Sequence, residues 1–196
     1  LQQAGANASG ATAYVTLEPC SHHGKTPPCC DALIQAGIAR VVYGMQDPNP
    51  QVSGNGLQKL RDAGIAVDGP VLEQPAQALN PGFIKRMRHG LPFVRIKMAM
   101  SLDGRTAMAS GESQWITGPA ARHDVQRLRA ESCAIITAAS TALSDNAQLT
   151  VRDPEHLAAL GARRPLRVLL DQHAHVSLDA NIFDDQAPTL WCSSKP

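Results

Sequence analysis

The first chemistry in this chain lies between Glu18 and Asp31, in the run EPCSHHGKTPPCCD. Cys20 follows a predicted strand, and Cys29 opens a predicted helix. Amide dipoles at a helix start favour a thiolate. Two thiolates brought together by a strand-to-helix turn are half of a tetrahedral zinc site. Hydrolytic deamination at zinc takes one His and two Cys as ligands, plus a Glu that moves protons without binding the metal. The usual H-x-E signature is missing, because none of the seven histidines is followed two residues later by Glu. Spacing alone leaves three readings open: a catalytic zinc, a structural zinc, and no metal. His22 and His23 are alternative ligands within the loop. Glu18 reads as a structural carboxylate rather than a replacement proton shuttle. Cys133 and Cys192 sit in apolar runs and read as buried, inert thiols. Five cysteines, two of them adjacent, do not suit a disulfide framework.

The second half offers anion binders. Lys97 is expected to end a strand, and Arg129 and Arg152 fall near predicted turns. Neither a Rossmann G-x-G-x-x-G nor a P-loop is present. Ser113 and Trp115 form a polar–aromatic pair in a loop, with Trp115 read as a core residue.

The elements that must position these groups alternate between strand and helix. Strands are expected over 12–17, 38–43 and 65–67, with helices starting at the Pro27-Pro28 pair and over 57–63. Both helices end in Ala-Gly-Ile, where Gly takes a left-handed conformation and the next apolar residue opens a strand. That order argues for an α/β layer fold. A third helix, 73–88, is interrupted near Pro81. Its basic end, KRMRH, suits a helix C-terminus and reads as a solvated face. Gly90-Leu91-Pro92 marks a boundary. Beyond it come a strand in FVRIKMAMS with a tight Asp-Gly turn, a helix over GPAARHDVQRLRAES, and strands in CAIITAAST (buried), PLRVLLD and TLWCS. Over 196 residues the composition is 43% hydrophobic and 18% charged, with a net charge of +1. This is a globular balance with no general field for nucleic acid or membrane. No apolar run is long enough to span a bilayer. The first residues are not a signal peptide, and both ends read as cuts through a larger fold.

The stretch TAYVTLEPCSHHGKTPPCCDALIQAGI resembles the deaminase half of the bifunctional riboflavin-biosynthesis deaminase/reductase family. MQDPNPQVSGNG matches the same family and is expected to help close the substrate pocket. KMAMSLDGRTAMASGESQWIT resembles the reductase half. The resemblance covers nearly the whole chain. It implies a fold in which the C-terminal part of a cytidine-deaminase-like αβα domain (1–90) precedes the N-terminal part of a dihydrofolate-reductase-like α/β domain (91–196). It implies zinc on Cys20 and Cys29, not Cys30, with the third ligand and the catalytic glutamate upstream of this segment. His22 and His23 are then loop residues near the substrate. It implies NADPH contacts from Ala99, Trp115, Thr141 and Asp145. Substrate contacts are implied for Ser113, Arg129, Leu149 and Arg152, with Leu149 acting through its backbone and the arginines on a phosphate. Lys97 and Asp103 would organise the pocket. Asp145-Asn146-Ala147 and Gln172 depart from the family pattern near the cofactor. The implied activity is deamination of a phosphorylated aminopyrimidine, followed by NADPH-dependent reduction of its ribosyl group, in a cytoplasmic protein with a possible homodimer. Two other readings remain: a nucleoside or tRNA deaminase with an appended domain, and an inactive remnant keeping a structural zinc or ligand-binding module.

Overall fold

The computed structural model describes residues 1–194; residues 195–196, the end of the expected second domain, lie outside the described residues. The chain forms two compact units, Leu1–Ile96 and a second beginning at Lys97. Each is α/β and built on its own three-stranded parallel sheet.

In the first unit, β1 (Thr12–Leu17), β2 (Arg40–Met45) and β3 (Ala66–Asp68) lie side by side in that order. Tyr14 pairs with Val42, and Arg40 with Ala66. The apolar run at β2 suits a central parallel strand, and Val41, Tyr43 and Met45 are buried. The strand starts two residues later than the sequence suggests, because Ile38 is used to close the preceding helix. That helix is α1 (Cys29–Gln35), and α2 (Asn55–Asp62) follows β2. Both end alike. Gly37 and Gly64 have φ of +67° and +81°, a region that L side chains disfavour. The Ile38 N–H then donates to the Leu33 carbonyl at 3.2 Å, and the Ile65 N–H to that of Leu60 at 3.0 Å. Both isoleucines enter one core with Ala8, Cys30, Leu33, Val41 and Leu60, each burial being worth about 1.5–3 kcal/mol. The repeated Ala-Gly-Ile is thus one helix-closing device used twice. The single helix expected over 73–88 is two, α3 (Glu73–Ala78) and α4 (Pro81–His89). Pro81 sits in the first turn of α4, where a missing N–H leaves no intrahelical bond unmade.

The second unit contains α5 (Pro119–Glu131), β4 (Ala134–Ala138), α6 (Ala139–Asp145), α7 (Pro154–Leu160), β5 (Leu166–Leu170) and β6 (Thr189–Cys192). The strand order is β4-β5-β6, with Ile136 opposite Val168 and Leu169 opposite Trp191. Ala142, Leu169, Val176 and Ile182 form its core.

Four expectations fail here. Residues 93–99 form no strand, so Lys97 ends none. A strand needs a neighbour for its amides, and this stretch finds none among the described residues; Phe93, Val94, Ile96 and Met98 are left exposed. Strand β4 forms but is not buried: Ile136 is 65% exposed, since only one face of the sheet is covered among the described residues. Cys133, just ahead of β4, is exposed and Cys192 is half-buried, so neither is the buried thiol expected. Trp115 lies in an irregular stretch and is exposed rather than in the core. The tight Asp-Gly turn is present: Gly104 has φ +80°, and Ser101 and Arg105 exchange hydrogen bonds across it. No helix is long and apolar enough to cross a membrane among the described residues.

Candidate functional site

Ligands of open parallel sheets bind beyond the carboxyl ends of the strands; the cysteine turn of the first unit follows the carboxyl end of β1, and α6 of the second follows that of β4, whereas Arg129 lies ahead of β4. In the first unit β1 runs out into Glu18, Pro19 and Cys20. The chain returns at α1, where the Cys29 N–H donates to the Cys20 thiol sulfur at 3.3 Å and the Cys30 N–H to the Cys20 carbonyl at 3.1 Å. These two bonds fold the turn so that Cys20 and Cys29 adjoin. Desolvation pushes the Cys29 thiol above its ordinary pKa, and the neighbouring Cys20 adds to it by hydrogen bond and charge. This runs against the lowering expected from the helix start, with burial the first cause and the second thiol next. Two adjoining thiols, one from the end of β1 and one from the start of α1, are donors of the kind zinc takes, so the pair fits zinc. Among the described residues, no third His, Cys or carboxylate gathers with this pair. His22 and His23 are exposed in the intervening loop.

Cys30 is a different thiol. It is fully buried, and its sulfur lies 3.2 Å from the Pro19 carbonyl and 3.4 Å from that of Gly56, donating to both. Burial, with the charge of Cys20 next, pushes it up to about 11. Its role is packing between these two carbonyls.

Glu18 is 3% exposed, and its carboxylate is fully occupied. One oxygen accepts from the N–H groups of Asp47 (3.1 Å) and Gly54 (3.0 Å), the other from those of Gly56 (3.0 Å) and Leu57 (3.4 Å). It thereby caps α2 from another element, satisfying amides that have no intrahelical partner. The structural reading of Glu18 holds: every acceptor direction is directed at backbone. Gly56 is required beside it, since a Cβ there would stand 1.9 Å from the Pro19 carbonyl oxygen. Asp47, at the carboxyl end of β2, is 6% exposed and accepts from the Asn49 N–H at 2.8 Å. Burial, with the Glu18 charge adding, raises its carboxyl above the ordinary range, partly offset by the Asn49 bond and His22.

In the second unit, Arg129 and Arg152 come together. Arg129 lies in the last turn of α5 and donates to the Thr150 carbonyl at 2.9 Å. Desolvation first, and then the charge of Arg152, lower the Arg129 pKa. Two guanidinium groups that repel each other in this way suit a bidentate anion. Thr141 and Asp145 sit four apart on α6, directly beyond β4, both exposed. Leu149 has φ +56°, a left-handed conformation unusual for a side chain of its size. Ala99, Ser113 and Trp115 lie in the irregular stretch before α5. Among the described residues its hydrogen bonds are internal or go to Arg122, whose guanidinium donates to the Thr117 carbonyl and lies 4.5 Å from the Trp115 ring centre. No hydrogen bond joins these three to the arginine pair among the described residues.

Sequence reasoning missed Arg167, which has no exposure at all in β5. It pairs with Asp184 at 2.7 Å and donates to the carbonyls of Gln148 and Asn181, both at 3.3 Å. It therefore holds the residue before Leu149. The period-two pattern was available, since Arg167, Leu169 and Asp171 share one strand face and all are buried. Nothing in the sequence said that this face was the core.

A parallel sheet with a cysteine pair at its carboxyl edge, followed by a second parallel unit with paired arginines, is the layout of a zinc-deaminase region joined to an α/β reductase domain. The comparisons agree. The description "Cytidine and deoxycytidylate deaminase zinc-binding region" matches residues 1–45, and "RibD C-terminal domain" matches residues 92–196. The riboflavin biosynthesis protein RibD of Escherichia coli is 58% identical over 202 residues, covering 100% of this chain and 55% of its own length. That of Haemophilus influenzae is 52% identical, with the same shares covered. A solved structure of Acinetobacter baumannii RibD superposes with a TM-score of 0.88 at 49% identity, over 98% of this chain and 54% of that one. The Thermotoga maritima diaminohydroxyphosphoribosylaminopyrimidine deaminase/5-amino-6-(5-phosphoribosylamino)uracil reductase gives 0.82 at 41% identity, over 94% of this chain and 51% of that one. The chain belongs to the RibD family of bifunctional deaminase/reductases. It spans about 55% of the length of these curated relatives.

Proposed function

We propose that a protein carrying this chain performs two consecutive steps of riboflavin biosynthesis in the cytoplasm. The first is hydrolytic deamination of a phosphorylated diaminopyrimidine. The second is NADPH-dependent reduction of the ribosyl group of 5-amino-6-(5-phosphoribosylamino)uracil. The observation that carries the reading is the cysteine pair at the carboxyl edge of β1, where the Cys29 amide lies 3.3 Å from the Cys20 sulfur.

Cys20 and Cys29 would hold zinc, which supplies Lewis acidity to activate water for attack on the amine-bearing ring carbon. Glu18 fixes the loop over residues 47–57 beside them through four amide bonds. That loop would form one wall of the pyrimidine pocket. In the second unit Arg129 and Arg152 would grip the substrate phosphate, with the Leu149 backbone and Ser113 beside it. Ala99, Trp115, Thr141 and Asp145 would line the NADPH site. The cofactor supplies the hydride, and the protein orients it against the ribosyl carbon. A homodimer fits the same reading and is checked by light scattering.

The test separates the two halves. In a protein carrying this chain, Cys20→Ser should abolish ammonia release and leave NADPH oxidation with pre-deaminated substrate intact. Arg152→Ala should weaken the reductive step at least tenfold, through KM, and spare deamination. Loss of both activities in either variant, or of neither, would refute the assignment.

A further inference from the structure

A second constellation of metal-ligand chemistry lies in the second unit. His123 on α5 faces Asp153, the residue capping α7, and His156 in the first turn of α7. The His123 Nδ1 is 3.1 Å from Asp153 Oδ2, and the two imidazole rings are 5.2 Å apart. One ligand atom from each of the three residues lies within 4.8 Å of the others. The 3.1 Å separation is near the ~3.3 Å edge of a tetrahedron with bonds of about 2.0 Å.

Three features pre-organise the set. The other Asp153 oxygen accepts from the Glu155 and His156 N–H groups at 3.1 and 3.3 Å, so the carboxylate is oriented by the helix it caps. The His156 Nε2 is shut off from solvent and has no hydrogen-bond partner; a buried imidazole nitrogen in that state is costly unless something binds it. Finally, His123, Gln126 and Arg129 lie three apart on one face of α5. Gln126 accepts from the Arg152 N–H at 2.8 Å, and Arg129 donates to the Thr150 carbonyl at 2.9 Å. The loop that brings Asp153 to His123 is thus tied down independently of any ion.

We propose that His123, Asp153 and His156 form a site for a divalent transition-metal ion, separate from the cysteine pair, which clamps α5 to α7. Two imidazoles and one carboxylate are borderline donors that suit zinc. His123 is exposed, so a fourth position is open to water. The proposal does not depend on the deaminase or reductase assignment.

The experiment titrates zinc into the full chain carrying Cys20→Ser and Cys29→Ser, which removes the thiol pair. One zinc per chain should still bind, and zinc should raise the thermal midpoint. Adding His123→Gln or His156→Gln should weaken binding about tenfold or more and remove the thermal shift. Asp153→Asn keeps an oxygen to cap α7, so its fold is preserved while its affinity should fall. His173→Ala, which breaks the His173–His175 ring pair, should leave binding unchanged. The proposal is overturned if the double cysteine variant binds no zinc. It is also overturned if binding survives Asp153→Asn and both histidine changes undiminished, or if it depends on His173.

Discussion

At the scale of single residues, the carboxylates of the first unit divide by what surrounds them. Glu18 is buried and accepts from four amide donors. Asp47 is buried with one amide partner and a second carboxylate nearby, so its ionised form is disfavoured. A carboxyl whose folded pKa is raised weakens the fold once the pH exceeds its unfolded value. Below that value both states are protonated and the penalty is gone. Asp47→Asn keeps an oxygen for the Asn49 amide and removes the charge. It should raise the thermal midpoint at neutral pH, and the gain should vanish below about pH 4. Thermal melts of parent and variant across that range check it; equal midpoints at pH 7 would mean that the charge is not strained. A destabilising charge at the carboxyl end of β2, next to Glu18, is the kind of feature that function retains.

At the scale of elements, the joint between β1 and α2 is the most demanding contact of the first unit. Glu18 and Pro19, leaving β1, press against the first turn of α2, and only a residue without a side chain fits at Gly56. Gly56→Ala must either push α2 outward or move the Pro19 carbonyl, and with it Cys20 and the buried Cys30. Because backbone rather than a flexible side chain is in the way, the cost should exceed about 3 kcal/mol. Urea unfolding measures it, and the same variant should lose metal bound through Cys20 and Cys29. An alanine variant of near-parental stability would show that the joint is looser than described.

At the scale of the whole molecule, two units with separate cores should respond differently to acid. The second unit depends on Asp171 and Asp184. Burial opposes ionisation of both. For Asp171 it is outweighed by hydrogen bonds from the Val176 and His175 amides, and for Asp184 by Gln148 and Arg167, so both carboxyls lie below their ordinary range. Depressed carboxyls stabilise the fold above their unfolded pKa, and the contribution is lost as the pH falls from about 4 through the folded values. Asp184→Asn should therefore be less stable than the parent at pH 7, and the two should converge below about pH 4. The loss should appear in the unit containing Trp191, which near-ultraviolet circular dichroism can follow. A constant difference at every pH would assign the effect to packing instead of charge.

Local signals in the sequence determined a good deal of this protein. Period and punctuation identified β1, β2, both Ala-Gly-Ile helix ends and α5, because strand alternation, left-handed glycines and a first-turn proline act within a few residues. The run around Cys20 and Cys29 carried the zinc reading, and its resemblance carried the family. The structural role of Glu18 was legible as well, though not its four partners, which come from residues 29 to 39 positions away. What lay beyond local reach was decided by tertiary structure. Apolar content alone marked 93–99 as a strand and CAIIT as buried, but pairing and burial need a second surface. Arg167 sits on a strand face whose direction only the packed core fixes. His123, Asp153 and His156 are unremarkable in sequence and become a constellation only when α7 folds back on α5. Side chains distant along the chain meet through packing, and no spacing rule records that meeting.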